Sequence, residues 1–90
     1  MNKAIITVVG QDTVGIIARV CTYLSNNNVN VLDISQTIID GFFNMMMIVD
    51  VTDSAEDFGT MVGDLEALGE EIGVRIRCQK EEIFTKMHRV

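Results

Sequence analysis

Four stretches of the chain have the hydrophobic patterns of β-strands. Residues 4–9 are apolar and rich in β-branched side chains, which predicts a strand buried on both faces. Residues 29–39 and 42–51 predict two further strands, the second of them also apolar on both faces in its middle. In the first of these two, alternation places Leu32, Ile34, Gln36 and Ile38 on one face and Asp33, Ser35 and Thr37 on the other. Residues 74–79 alternate apolar and polar side chains, as a half-exposed edge strand does. Asp40 and Gly41 predict a two-residue type I′ hairpin between the second and third strands, because both turn positions need a positive φ.

Helical spacing of apolar residues separates these strands. The first predicted helix follows Asp12 and Thr13, either of which could cap it, and its apolar stripe is Val14, Ile17, Val20, Cys21 and Leu24. The second begins with Ser54 as its predicted cap, ends at Gly73, and has its stripe at Phe58, Met61, Val62, Leu65, Leu68 and Ile72. Glycines 59, 63 and 69 inside it suggest a closely packed neighbour. A short third helix is predicted over residues 81–90.

The element order βαββαβ predicts one ferredoxin-like domain over residues 1–90. Its expected form is an α+β sandwich with a four-stranded antiparallel sheet, two helices on one face and the short C-terminal helix. The first and third strands would be central, which agrees with their apolar character on both faces. The helix-free face of the sheet would then be apolar in its middle, and we expect a homodimer to cover that face or to pair through a strand edge.

The charge distribution argues against nucleic acid as a partner. The chain has 13 acidic and 7 basic residues, with a net charge of −6. Eight of the acids lie between positions 50 and 71, a stretch without a basic residue that is typical of a solvated helix face. Binding to nucleic acid usually needs a basic surface that neutralises phosphates. The apolar runs are far shorter than the roughly 18 residues of a membrane span. We therefore expect a cytoplasmic protein that binds neither nucleic acid nor membrane.

The residues that usually carry catalysis or bind metals do not form a motif. Cys21 and Cys78 both fall on apolar stripes, have no ligand-spaced partners, and are expected to be reduced, buried thiols. His88 is the single histidine and lacks triad partners at a recognisable spacing. The methionine run 45–47 alternates between the faces of a strand, which favours core packing over metal binding. We expect no enzyme, no metal site and no cofactor.

The loop after the first strand contains a spaced pattern of residues. It reads Asp12, Thr13, Val14, Gly15, Ile16, Ile17 and Ala18, and Val29-Asn30-Val31 follows the predicted helix. This pattern resembles the signature of the ACT domain, a small regulatory module of amino-acid metabolism. The resemblance covers essentially the whole chain. It is nearest to small stand-alone ACT proteins, and more distant from the ACT halves of glycine-cleavage repressors and formyltetrahydrofolate hydrolases. Val14 replaces the family's usual proline, and Asn28 replaces a glycine.

The resemblance implies a ligand site at the start of the first helix, often across a domain interface. The residues that match the family's site are Asp12, Thr13, Val14, Gly15, Ile16 and Asn30. Free N–H groups of the helix start suit a carboxylate, and Asp12 suits an α-ammonium group. The expected function is that of a homodimer that senses an amino acid or a related metabolite. The alternative is a protein-interaction module without a small ligand, in which Asp12 caps the helix, Gly15 permits close packing and Asn30 bonds a turn.

Overall fold

The computed structural model describes residues 1–11 and 13–82 of the chain. Its elements are β1 (Lys3–Gln11), α1 (Ile16–Asn26), β2 (Asn30–Ile39), β3 (Phe42–Asp50), α2 (Phe58–Ile72) and β4 (Val74–Lys80). The strands form one antiparallel sheet in the order β2-β3-β1-β4. The predicted ferredoxin-like order and the central positions of β1 and β3 are confirmed. The predicted helix 81–90 lies, apart from Glu81 and Glu82, outside the described residues.

The core lies between the helices and one face of the sheet. Residues that oppose each other in an antiparallel pair share a face, and Ile6 of β1 opposes both Met47 of β3 and Cys78 of β4. Ile6 and Met47 are completely buried, together with Leu65 of α2. The predicted alternation in β3 is thereby confirmed, with Met45, Met47 and Val49 buried on the helix side.

A bulge in β2 breaks the predicted alternation of that strand. Val31 pairs with Val49 but the next pair is Asp33 with Ile48, so Leu32 is an extra residue. Leu32 therefore has no opposing residue that would place it on the predicted common face with Ile34, and Val31 opposes the core residue Val49. From Asp33 onward the predicted faces are correct, because Ile34, Gln36 and Ile38 oppose the core residues of β3.

The β2–β3 hairpin turn and the two ends of α2 are set by backbone φ values and by local hydrogen bonds. Asp40 and Gly41 have φ values of 51° and 80°, which confirms the predicted hairpin turn between β2 and β3. Gly73 ends α2 in the left-handed region, as predicted. The predicted cap Ser54 is wrong: the side chain of Asp57 caps α2 and accepts a 2.7 Å hydrogen bond from the N–H of Thr60. The Ser54 hydroxyl instead donates to the carbonyl of Glu56 within the preceding bend.

One glycine of α2 sets how closely that helix packs on β4. A Cβ at Gly69 would lie 2.6 Å from the carbonyl oxygen of Val74 and 3.2 Å from the N of Ile76. Such distances to backbone atoms are incompatible with a side chain, so the close packing suggested by the sequence holds at this position. It does not hold at Gly63, where a Cβ would have no neighbour within 4 Å.

Candidate functional site

The loop between β1 and α1 leaves the start of the helix open. Gly15 is the N-cap residue, with φ 91° in the left-handed region, and it carries no side chain to cap the helix. The first helical hydrogen bond runs from the N–H of Arg19 to the Gly15 carbonyl, so the preceding N–H groups of the first turn have no helical acceptor. The predicted cap at Thr13 is wrong, since Gly15 takes that position. Asp12 lies outside the described residues.

Of the other predicted site residues in this loop, three are exposed to solvent and one is buried in the core. Thr13 and Gly15 are exposed, and Val14 is fully exposed, so its predicted place on the buried stripe of the helix is wrong. Ile16 is 2 % exposed and packs in the core instead, which leaves only its backbone available to a ligand. A Cβ on Gly15 would meet no atom within 4 Å, so the space beside its backbone is open. The first turn of α1 also contains no acidic residue that would repel an anion.

The sixth predicted site residue lies at the opposite end of the sheet. Asn30 opposes Asp50, which opposes Lys3 at the start of β1, whereas the loop follows Gln11 at the end of β1. Eight residues of extended strand separate these two levels, a distance of about 26 Å. One copy of the chain therefore does not bring the exposed Asn30 side chain to the Gly15 loop.

The exposed large apolar side chains concentrate around β2. In the described part of the chain all of them except Met1 lie on β2, on β3 and β1, or at the start of α1: Val9, Val14, Ile17, Leu32, Ile34, Ile38, Ile39, Phe42 and Met46. Ile34 and Ile38 face the helix side of the sheet, yet they are 41 % and 57 % exposed. The helices therefore leave the outer strand β2 uncovered, with its free edge beside an apolar strip.

Two polar contacts tie the helices together away from that loop. Arg19 of α1 forms a 2.7 Å ion pair with Glu71 of α2. The Tyr23 hydroxyl donates a 2.6 Å hydrogen bond to the carboxylate of Asp64. Burial of the phenol and this hydrogen bond raise the pKa of Tyr23 above its ordinary value. Both contacts fix α1 on α2.

A cleft at the far end of the sheet from the Gly15 loop was not predicted from the sequence. Its volume is about 740 Å³, and its walls include Lys3, Phe58 and Lys80. The Lys80 ammonium lies 5.5 Å from the centre of the Phe58 ring. These residues follow no motif spacing, so only the packing of β1 and β4 against the start of α2 identifies the cleft. Among the described residues, no three potential metal ligands converge anywhere, and no helix has the length and hydropathy to cross a membrane.

The architecture defines an α+β domain of the ferredoxin-like class. Within that class, the sequence profile of the ACT domain matches residues 2–79. The chain belongs to the ACT domain family, a family of regulatory, ligand-binding domains.

Relatives and solved structures agree with this assignment. A UPF0237 protein of Bifidobacterium longum is 82 % identical over 90 residues and is aligned along the whole of both chains. An ACT domain protein from Streptococcus pneumoniae is 42 % identical with a TM-score of 0.81, over 92 % of this chain and 93 % of that one. A formyltetrahydrofolate deformylase from Pseudomonas syringae has the same TM-score of 0.81 at 21 % identity, over 89 % of this chain and 28 % of that enzyme. At that identity the likeness shows the shared fold alone.

Proposed function

We propose that this protein is a homodimeric sensor of an amino acid or a related small metabolite. The observation that carries the proposal is the open start of α1 at Gly15, whose backbone is accessible and whose first helical turn contains no acidic residue. Membership of a regulatory, ligand-binding family supports the same reading.

The chemistry of the loop suits the two charged ends of an amino acid. A carboxylate would accept hydrogen bonds from the free N–H groups of the first turn, where the helix dipole also favours an anion. Asp12 supplies a negative charge for the α-ammonium group, next to Thr13 and its hydroxyl. Val14, exposed on the same loop, offers an apolar contact for a ligand side chain.

A second copy would complete this site. If two β2 strands pair antiparallel through their free edges, the start of one β2 lies beside the end of the other. Ile39 at the end of β2 is level with Phe42 and with Gln11, after which the loop begins. Asn30 of one protomer would thereby lie at the loop end of its partner's sheet, beside the end of the partner's β2, and the apolar strip around Ile34 and Ile38 would be covered.

Ligand binding can be tested by a thermal-shift screen of the amino acids, followed by calorimetry with the best of them. A ligand at 100 times its Kd should stabilise the protein by about 2.7 kcal/mol. Asp12→Ala should weaken binding by roughly ten- to a hundredfold, because it removes a charge-assisted hydrogen bond. Asn30→Ala should weaken it by about two- to tenfold. Asn26→Ala, at an exposed asparagine of α1, is the matched control and should bind as the wild type does.

The two-copy geometry has its own test. Gly15→Val should block the loop, and Asn30→Ala should remove the partner's contribution. After the two variants are mixed and exchanged, half of the dimers are mixed, and each mixed dimer has one intact site, so about a quarter of the sites should recover wild-type affinity. No recovery would mean that both residues act within one copy or that Asn30 makes no contact.

The interaction-module alternative is supported by the same apolar strip on β2, which a different protein could cover. The screen separates the two functions. If no amino acid stabilises the wild type, the interaction module becomes the better-supported function. Retained dimerisation in that case would show only that the strip serves self-association.

A further inference from the structure

One apolar side chain on the face of the sheet opposite to α1 and α2, here called the outer face, is buried. Ala4 and Ile6 point into the core between sheet and helices, so Ile5 between them points to the outer face. Ile5 is level there with Ile48 of β3 and Gln79 of β4. It is only 6 % exposed, yet it does not belong to the core cluster that contains the buried residues of both helices. Something other than α1 and α2 therefore covers Ile5.

A second residue of β1 shows that the flanking strands do not account for this burial. Val9 lies on the same face of the same strand and also has a neighbour on each side, Asn44 on β3 and Arg75 on β4. It is nevertheless 46 % exposed. The outer face is thus covered at the level of Ile5 and uncovered further along β1.

The chain itself leaves the sheet beside Ile5. Gln79, which opposes Ile5, is the penultimate residue of β4, and Glu81 and Glu82 are helical directly after that strand. Residues 83–90 follow them in the sequence. The end of the chain therefore begins within one strand spacing, about 4.8 Å, of the covered side chain.

Residues 81–90 have the sequence of a short amphipathic helix. At 3.6 residues per turn, four apolar side chains fall within about one third of the circumference: Ile83, Phe84, Met87 and Val90. Lys86 and Arg89 fall on the other side together with Glu82, and an acid at the start with bases at the end matches the helix dipole. An isolated helix this short is marginal in water, so it needs an apolar surface to pack on.

We infer that residues 81–90 form a helix that lies across the outer face and covers Ile5 and Ile48 with its apolar side. Ten helical residues span about 15 Å. The distance from β4 over β1 to β3 is two strand spacings, about 10 Å, which this helix can cross. Val9 lies about 13 Å from Ile5 along the strand, beyond the radius of about 6 Å of a helix that crosses at Ile5. The same placement therefore accounts for both the buried and the exposed residue.

The docked segment changes what the outer face can bind. A helix about 10 Å thick on the Ile5 half prevents a second sheet from stacking flat on this face. Val9 and Met46 stay accessible on the other half. The free edge of β2 lies outside the covered area and remains available to a partner.

Cysteine accessibility tests the cover over Ile5. The Ile5→Cys variant should react slowly with a thiol reagent, and the Val9→Cys variant should react at least tenfold faster. Adding Phe84→Ser and Met87→Ser should remove this difference, because the segment then loses its apolar side. Lys86→Ser, on the polar side, is the matched control and should leave the protection intact. Peptide mass spectrometry distinguishes the introduced cysteine from the two native ones.

Nuclear Overhauser effects in the unmodified protein give a second measurement that depends on no substitution. The Phe84 ring should contact the methyl groups of Ile5 or Ile48. A mixture of isotope-labelled and unlabelled protein separates contacts within one chain from contacts between copies.

Three results would overturn the inference. They are equal labelling of the Ile5→Cys and Val9→Cys variants, protection of Ile5→Cys that survives Phe84→Ser with Met87→Ser, and contacts of the Phe84 ring that occur only between copies. In the last two cases another molecule covers Ile5. None of these measurements needs an amino acid, so the failure of this inference and the failure of the sensor proposal are distinguishable.

Discussion

The glycines of α2 provide a matched pair of substitutions with opposite expected effects on stability. Gly63 and Gly69 occupy interior positions of the same helix. Replacement of a helix-interior glycine by alanine ordinarily stabilises a protein by about 0.5–1 kcal/mol, because alanine loses less backbone freedom on folding. At Gly63 nothing opposes this gain, since a Cβ would have no neighbour within 4 Å.

At Gly69 the same substitution meets the backbone of β4. The added Cβ would lie 2.6 Å from the Val74 carbonyl oxygen. Because that oxygen belongs to the backbone, the clash can be relieved only by a shift of β4 or of α2. Val74 and Ile76 are themselves buried core residues, so a shift of β4 also disturbs packing. Overpacking of this kind costs about 1–3 kcal/mol, which exceeds the propensity gain. We expect a net loss of about 1 kcal/mol for Gly69→Ala.

Urea unfolding followed by circular dichroism measures both variants. The free energy of unfolding should rise for Gly63→Ala and fall for Gly69→Ala, with a difference of about 1–3 kcal/mol that represents the steric term alone. Melting temperatures should move in opposite directions by roughly 4–8 °C per kcal/mol for a chain of this size. Equal stabilisation of both variants would show that α2 does not approach β4 as closely as the distances indicate.

Three further predictions concern the turn, the thiols and the helix cap. Gly41→Val should destabilise the protein by about 1–2 kcal/mol in urea unfolding because a β-branched residue is strained at φ 80°, whereas Gly41→Asn should retain most of the stability. Burial raises the pKa of the Cys78 thiol to about 11, so a thiol reagent at mildly alkaline pH should label the half-buried Cys21 first; equal rates for both would contradict the burial of Cys78. The hydrogen bond from the Thr60 N–H lowers the pKa of Asp57, so its contribution to stability is present above the ordinary Asp pKa near 4 and is lost as the pH falls through the lower folded value. Asp57→Asn should therefore show a shallower loss of melting temperature on acidification than the wild type.

The order of the strands in the sheet could be predicted because the pattern of apolar and polar residues in a strand indicates whether one or both of its faces are buried. The runs that are apolar on both faces became the central strands, and the alternating arginines placed β4 at an edge. The hairpin was predictable for a similarly local reason, since Asp40 and Gly41 satisfy the φ values that the turn demands. Where one physical requirement is met by one residue type, as at this turn, the sequence was sufficient to predict the structure.

The helix starts were less predictable because several residues compete for one cap. Ser54 and Asp57 both have capping side chains, and only packing decides that the helix begins at Phe58. At α1, Thr13 was a reasonable cap by residue type, but Gly15 occupies the position in a left-handed conformation. That choice turns Val14 outward and Ile16 inward, the reverse of what a helix that begins earlier would require. The bulge at Leu32 was equally invisible, because it depends on how β2 pairs with β3.

The separation of Gly15 from Asn30 connects ligand binding to self-association in the proposed sensor. The uncovered edge of β2 has two consequences: it exposes the apolar strip at Ile34 and Ile38, and it lets a two-fold axis bring unlike ends of the sheet together. A ligand held by one protomer's loop and the partner's strand would bind the dimer better than the separated copies. By linkage, it must then strengthen dimerisation by the same factor by which dimerisation strengthens its binding. A domain of 90 residues with a small core could thus convert the concentration of a metabolite into a change of assembly, without any rearrangement inside its fold.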